Sequence, residues 1–539
     1  MTTQEAPDTG SYDVVVLGAG IAGIYAVYKF REMGLSVKAF EAASDVGGVW
    51  FWNRYPGARC DVESIDYSYS FDPELEQDWD WSEKYATQPE ILAYLRHVTD
   101  RYELRPHMQF NTRITSAELN EENLTWTVHT DRGDEVTARF FVMAAGPLSN
   151  ANVPAFPGLG DFRGDVLHTA QWPHEGYDFT GKRVGLIGTG SSGIQATPHL
   201  AEDAEKLYVF QRTANYSIPA GNRPITDEGL KEYKANYAER RAMSWTSGGG
   251  SPHRPHPQSA LDVSPEERAR AYEERWKLGG VLFSKTFPDQ LSNLEANHTA
   301  REFWENKIRE VINDPEVAEQ LIPNDHPIGA KRICTDSDYY ETFNRDNVEL
   351  VNLKRTPLEG MDATGINTSE AHYDLDVIVL ATGFDAMTGS VSKVDIIGRA
   401  GQSLNEAWAE GPKTYLGLGV NGFPNMFNLT GPGSPSVLAN MVLHSELHVN
   451  FVADLIKFLD ERGAAGIEAG ADAQEAWVNE TRRLAEGSLL NMANSWYLGS
   501  NIPNRPRVFM PYAAGFSAYR EVLEEVTSSQ YRGFSVLEK

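Results

Sequence analysis

The sequence predicts a doubly wound α/β fold built twice in one chain, and three observations carry that expectation. Two GxGxxG runs, Gly18-Ala-Gly20-Ile-Ala-Gly23 and Gly188-Thr-Gly190-Ser-Ser-Gly193, each lie between an apolar run and a stretch of helical periodicity. Two further apolar runs, residues 142–146 and 377–383, close on small residues, as strands do where backbone approaches a ligand. Between residues 216 and 328 the chain turns charged and helical, which places a helical insertion in the second unit. The expected architecture is therefore two Rossmann-like dinucleotide-binding domains. Residues 1–148 open the first, 149–383 form the second with its insertion at about 216–328, and 384–539 return to the first and add a C-terminal lid segment.

A chain of 539 residues exceeds one ordinary core, so this division is expected on length alone. With 76 acidic against 48 basic residues the net charge is −28, which opposes binding to nucleic acid or anionic lipid and makes each local cation a candidate anion ligand. Cys60 and Cys334 are the only cysteines, so no disulfide framework and no redox dithiol exists, which fits a reducing cytoplasm. The polar stretch Met1–Ser11 reads as a frayed terminus rather than a signal peptide, and Val14–Val27 is too short and glycine-broken to insert in a membrane. His253 and His256 read as exposed residues of the loop Gly248–Pro257, since no Cys or carboxylate spacing around them suggests a metal site.

In the first unit, Tyr12–Leu17 reads as a buried parallel strand, Ile21–Met33 as a helix and Ser36–Phe40 as the second strand, leading to Glu41. Gly18 permits the tight turn, Gly20 admits a pyrophosphate at the helix N-terminus, and Gly23 allows helix and strand to pack closely. Glu41 would accept from a ribose diol and repel a 2′-phosphate, which suits FAD or NAD. The run Gly47-Gly-Val-Trp-Phe-Trp-Asn-Arg-Tyr-Pro-Gly-Ala-Arg-Cys-Asp61 follows. There Arg59 and Asp61 can position a charged cofactor, or Asp61 can be a solvated turn carboxylate. Tyr85–Tyr102 reads as a helix, and Leu124–His129 and Glu135–Ala145 as strands.

The Pro-rich stretch after Asn150 and then Phe162–Pro173 read as the linker to the second unit. Its strands are Lys182–Ile187 and Lys206–Phe210, around a helix from about Ile194 to Leu200. Where the first unit has Glu41, the second has Gln211-Arg212-Thr213; a guanidinium and a hydroxyl favour a 2′-phosphate, hence NADPH. Lys331-Arg332 is a further basic pair, and Pro265–Leu278 and Ala300–Ile312 are helical patches of the insertion. Beyond Gly383 stand two glycine-rich loops, Gly431–Pro435 and Asn494–Pro503; Trp496 in the latter is either a lid residue or a buried Trp. Residues Arg520–Phe534 read as a helix followed by an extended run.

These residues carry a resemblance. FRGDVLHTAQWP fits the FxGxxxHTxxWP pattern of the type I Baeyer–Villiger monooxygenases through Phe162, Gly164, His168, Thr169, Trp172 and Pro173, and GGVWFWNRYPGARCD fits that family's GGxWxxxxYPGxxxD pattern, ending at Asp61. The resemblance spans essentially the whole chain, including ATGFDAMTG at 381–389 and SWYLGSNIP at 495–503. It implies FAD held by Gly18, Gly20, Gly23, Glu41, Gly47, Gly48, Val49, Trp50, Asp61, Tyr67, Ile114 and Met441. It implies NADPH held by Arg59, Cys60, Asp61, by Ile187, Gly188, Thr189, Gly190, Ser191, Ser192 and Gly193, and by Arg212, Thr213, Lys331, Arg332 and Trp496. The implied reaction inserts one oxygen atom of O2 beside a ketone carbonyl through a C4a-peroxyflavin and a Criegee adduct, giving an ester or lactone. Arg332 would stabilise the developing oxyanion, with Asp61 orienting it. His168 would act in conformational coupling between the units or as a buried structural histidine. Ketone selection is expected at residues 431–441 and 495–503, with a 20-ketosteroid such as progesterone, or another methyl or aryl ketone, as substrate and a monomer or weak homo-oligomer as the working form. Two rival readings are a flavin N- or S-oxygenase and a non-catalytic NADPH-binding sensor.

Overall fold

The computed structural model describes residues 7–538. Two parallel-cored sheets organise it. In the first, eight strands run in the order Asp395–Ile397, Ile114–Asn120, Thr125–Thr130, Glu135–Met143, Ser11–Leu17, Val37–Phe40 and Met108–Gln109, with Met426–Asn428 also pairing Glu135–Met143. The long strand Glu135–Met143 is shared: its first half pairs antiparallel with Thr125–Thr130, its second half parallel with Met426–Asn428. The second sheet is all parallel, in the order Val348–Asn352, Lys206–Gln211, Arg183–Ile187, Val377–Leu380 and Asp165–His168. Its central strands are fully buried Val, Leu and Ile runs, as a sheet covered on both faces demands.

The glycine-loop helices are Ile21–Glu32 and Ser191–Asp203. The second begins three residues before the expected start and carries Pro198 within it. The other expected helices shift at their ends: Gln88–Arg101 replaces Tyr85–Tyr102, and Leu294–Val311 replaces Ala300–Ile312, its start fixed by the Asn293 side chain accepting from the Glu295 and Ala296 N–H groups. Pro265–Leu278 forms as read, with Ser264 capping Glu267.

Four expectations are corrected. Residues 1–6 of the expected frayed terminus lie outside the described residues, but Asp8–Gly10 is tied down: the carbonyls of Asp8 and Gly10 accept from the Glu135 and Thr137 N–H groups, and Lys38 pairs with Asp8 at 3.0 Å. The stretch Phe162–Pro173 is not a linker through its length, because Asp165–His168 is the edge strand of the second sheet. The helical insertion does not sit on the second unit alone. Helix Tyr237–Trp245 docks on the first through buried Arg241, which donates to Glu76 and Ser68 at 2.7 Å each, and through Arg240, which pairs with Asp66 and Glu63. His253 and His256 are partly covered rather than exposed, His253 lying 3.2 Å from Glu63 of that cluster.

The two connections between the sheets run side by side. The Asn152 N–H donates to the Gly383 carbonyl, the Asp385 N–H to Asn150 and the Met387 N–H to Pro147, making an antiparallel ribbon at the crossover. Among the described residues no helix is long and apolar enough to cross a membrane, and no cluster of three metal-ligating side chains is present.

Candidate active site

Both glycine loops fold the same way. Gly18 has φ +97° and lies so near Ala144 that a Cβ would meet its carbonyl oxygen at 2.7 Å; a Cβ on Gly23 would meet the Gly18 carbonyl at 2.0 Å. In the second loop, Gly188 has φ +115° and would meet the Ala381 carbonyl at 2.4 Å, while Gly193 would meet the Gly188 carbonyl at 2.1 Å. Ala144 and Ala381 belong to the two small-residue strand ends read from the sequence, so their small side chains serve the close packing of glycine turn on strand.

The middle glycines are different. A Cβ on Gly190 would meet nothing within 4 Å, and neither Gly20 nor Gly190 is replaced by a side-chain cap at its helix N-terminus. Protein packing therefore does not require a glycine at 190, whereas a phosphate approaching bare N–H groups does. In the first unit the opposing backbone is Gly48, whose Cβ would meet the Gly20 Cα at 2.9 Å. Gly47-Gly48 thus closes over the first loop, and Val49–Trp52 begins a short helix there. These cradles fit the pyrophosphates of two dinucleotides.

Strand register makes Glu41 and Gln211 equivalent, since Phe40 pairs Leu17 as Phe210 pairs Ile187, each one residue before its glycine turn. Glu41 is buried, and its two oxygens accept the Ala19 and Ala43 N–H groups at 2.8 Å. Burial pushes this carboxyl above its usual range while those N–H groups pull it back. Ile114 follows from the same edge, because the Thr112 N–H donates to the Glu41 carbonyl. In the second unit Arg212 is exposed one residue beyond Gln211, and Thr189 Oγ1 donates to the Thr213 carbonyl at 2.7 Å. Lys331 is held below the usual lysine range by burial and by the positive charges of Arg212 and Lys354, against the pull of Asp325. Cations drawn together in an acidic protein suit a phosphate.

The two sequence patterns meet in one core. Tyr55 and Ala58 pack in the cluster that contains Leu167, Trp172, Val184 and Val379 of the second unit. Tyr55 donates its hydroxyl to Gln195 at 2.7 Å, and Gly57 has φ +83° with the Gln195 carbonyl 2.5 Å from where a Cβ would stand. The YPG turn is therefore the first unit's docking edge on helix Ser191–Asp203, a role the sequence did not disclose. Gly164 has no room for a side chain, with the Asp376 carbonyl at 2.3 Å, and Phe162 folds beside it; Pro173 ends the turn after Trp172. His168 Nδ1 accepts the Ala170 N–H, which leaves the proton on Nε2, 3.2 Å from both the Asn152 carbonyl and the Thr382 hydroxyl. Burial lowers its pKa. The imidazole is thus a neutral brace across the crossover ribbon.

At the centre, Arg332 donates Nε and Nη2 to the two oxygens of Asp61 at 2.7 and 2.8 Å, and Nη1 to the Val437 carbonyl at 2.6 Å. Burial works against the guanidinium's charge, but Asp61 outweighs it and holds the pKa above its usual value. Beside it Tyr497 is buried, its phenol pushed up to about 12. Val437, Tyr497, Phe509 and Met510 form one cluster against which Met441 and Trp496 pack, so residues 431–441 and 495–503 converge here. Trp496 is half-buried against Tyr497, with ring centroids 4.4 Å apart. Tyr67 accepts from Trp50 Nε1 at 3.2 Å, fixing both rings in the first unit's core.

Arg59 is less available than the sequence suggests, since its Nη1 is committed to Glu83 and to the Tyr85 carbonyl at 2.8 Å. Cys60 is buried, and burial raises its thiol well above the usual range, so it is no nucleophile. Sequence reading also missed the Val437 carbonyl and Tyr497. A backbone acceptor carries no sequence signal, and one Tyr among 23 has none.

The chain shares its fold with proteins of known activity. Residues 11–228 match the family model described as flavin-binding monooxygenase-like. A Baeyer–Villiger monooxygenase of Pseudooceanicola batsensis is 42% identical over 524 residues, 96% of this chain and 95% of that one. Among solved structures, an oxidised steroid monooxygenase bound to NADP superposes with a TM-score of 0.95 at 71% identity, covering 98% of this chain and all of that one. The complex of OTEMO with FAD and NADP gives a TM-score of 0.94 at 40% identity, covering 99% of this chain and 100% of that chain.

Proposed function

The chain belongs to the flavin-binding monooxygenase-like family, with the Baeyer–Villiger enzymes, and on that premise we propose that it oxygenates 20-ketosteroids such as progesterone at the Arg332–Asp61 centre. It is an NADPH-dependent flavin monooxygenase acting on ketones, with FAD and NADPH as cofactors. When bound, the reduced flavin supplies, with O2, the oxygen atom that enters the ketone.

The observation that carries the assignment of residues is the bidentate Arg332–Asp61 pair, whose guanidinium also reaches the Val437 carbonyl. Arg332 keeps a permanent charge aimed into the cluster of residues 437, 441 and 496–498, where it opposes the negative charge that develops on the ketone oxygen. Asp61 fixes the plane of the guanidinium and prevents its swinging toward solvent. Tyr497 and Trp496 exclude water from that side. Arg212 and Lys331 hold the 2′-phosphate of NADPH, the first glycine loop with Glu41 holds the FAD, and His168 braces the crossover. In this reading residues 1–148 and 384–539 form the flavin domain and 149–383 the NADPH domain, and the enzyme is a cytoplasmic monomer or weak homo-oligomer. The likeness at 71% identity supports a steroid over a small cyclic ketone.

The test is NADPH oxidation by the purified yellow protein on progesterone, phenylacetone, cyclohexanone and a long-chain methyl ketone, with products identified by mass spectrometry. Progesterone converted to its acetate ester, in preference to the others, is the expected outcome. Preference for cyclohexanone or phenylacetone would replace the steroid assignment, and hydrogen peroxide without ester would remove it.

A further inference from the structure

One cation near the centre has no task in the reaction as derived. Lys285 ends the short helical turn Val281–Lys285 of the insertion. That turn is clamped to the segment leading to Arg332, because a Cβ on Gly329 would meet the Ser284 Cβ at 2.9 Å. On its other side the Lys285 Nζ lies 3.7 Å from where a Gly249 Cβ would stand, and the Gly249 carbonyl accepts from the Asn440 N–H at 3.0 Å, one residue before Met441. Among the described residues Nζ has no hydrogen-bond or ion-pair partner, in a chain of net charge −28. The residue is exposed, yet burial and then the charge of Arg332 both press its ammonium below the usual lysine range. The Nζ thus stands between the segment that leads to Arg332 and the segment that leads to Met441.

We propose that Lys285 is a specificity-determining residue that binds a second oxygen of the substrate, a carbonyl or carboxylate remote from the carbonyl undergoing oxygenation. An ammonium with three free donors offers a hydrogen-bond anchor that apolar walls cannot give, and it rejects skeletons that leave it unpaired. The inference rests on the ketone reaction at Arg332, and it favours ketones with oxygens at both ends. Progesterone, with oxygens at C3 and C20, is one.

The test compares holoenzyme and Lys285→Met on two matched pairs, progesterone with 5α-pregnan-20-one, and 4-(2-oxopropyl)benzoate with phenylacetone. The expected result is a rise of about tenfold in KM for the oxygen-bearing member relative to its partner, with Lys285→Arg recovering most of it. Equal shifts for both members, or a shift in the KM for NADPH instead, would overturn it. If neither steroid is oxygenated the steroid assignment falls, and the phenylacetone pair still reads Lys285. The carboxylate pair responding while the steroid pair does not would narrow the recognised group to an anion.

Discussion

Arg332 and Asp61, 271 residues apart in the chain, meet through two hydrogen bonds of 2.7 and 2.8 Å, and this pair joins the segment after the insertion to the turn that docks the two units. It holds a cation where residues 431–441 and 495–503 converge.

Arg332→Ala is expected to keep FAD and to reduce it with NADPH, but to lose ester formation by about 10²–10³-fold, with NADPH consumed to hydrogen peroxide. Asp61→Asn should fall between the two, since the guanidinium stays but is no longer aimed. Product and peroxide assays side by side settle it: normal ester yield from Arg332→Ala takes this residue out of the reaction.

Reading of the 2′-phosphate by Arg212 and Lys331 predicts that Arg212→Ala raises the KM for NADPH by about tenfold or more and leaves NADH nearly unaffected. Lys331→Ala should act in the same direction. Equal losses with both nucleotides would show that neither cation reads that group.

The glycines of the second loop separate packing from binding. Gly188→Ala, at φ +115° and against the Ala381 carbonyl, should lower the melting temperature sharply; Gly190→Ala, whose methyl meets no protein atom, should melt near wild type and still lose NADPH affinity. Equal melting temperatures for the two variants would contradict the geometry.

Glu446 is buried with its carboxyl pushed up to about 7 by desolvation, its oxygens accepting from the Ser70 N–H and hydroxyl. A raised carboxyl contributes stability that is full below the unfolded value and lost as pH rises through about 7. Wild type should therefore lose about 1 kcal/mol per pH unit between roughly pH 5 and 7 from this group and little more above that, and Glu446→Gln should flatten that slope. Thermal melts of both proteins at roughly pH 5 and pH 7.5 give the comparison; parallel slopes would assign the loss to other groups.

Much of this molecule is written locally. Strand, glycine turn and helix at 12–33 and again at 182–203 are fixed by apolar runs and by backbone conformations that only glycine adopts freely, and the exchange of Glu41 for Gln211-Arg212 is the local signal on which the proposed placement of the 2′-phosphate rests. The family patterns stand in the sequence too, and with them the reaction class. Tertiary structure decided the rest. Only packing shows that the YPG turn and the HTxxWP stretch share one core, that Asp165–His168 is a sheet edge and that helix Tyr237–Trp245 crosses to the first unit. Only packing also brings Val437 and Tyr497 to Arg332. The reason is physical: a strand or a turn is specified by residues a few positions apart, whereas a charge-binding centre is specified by where distant segments stop against one another, and no periodicity in the chain records that.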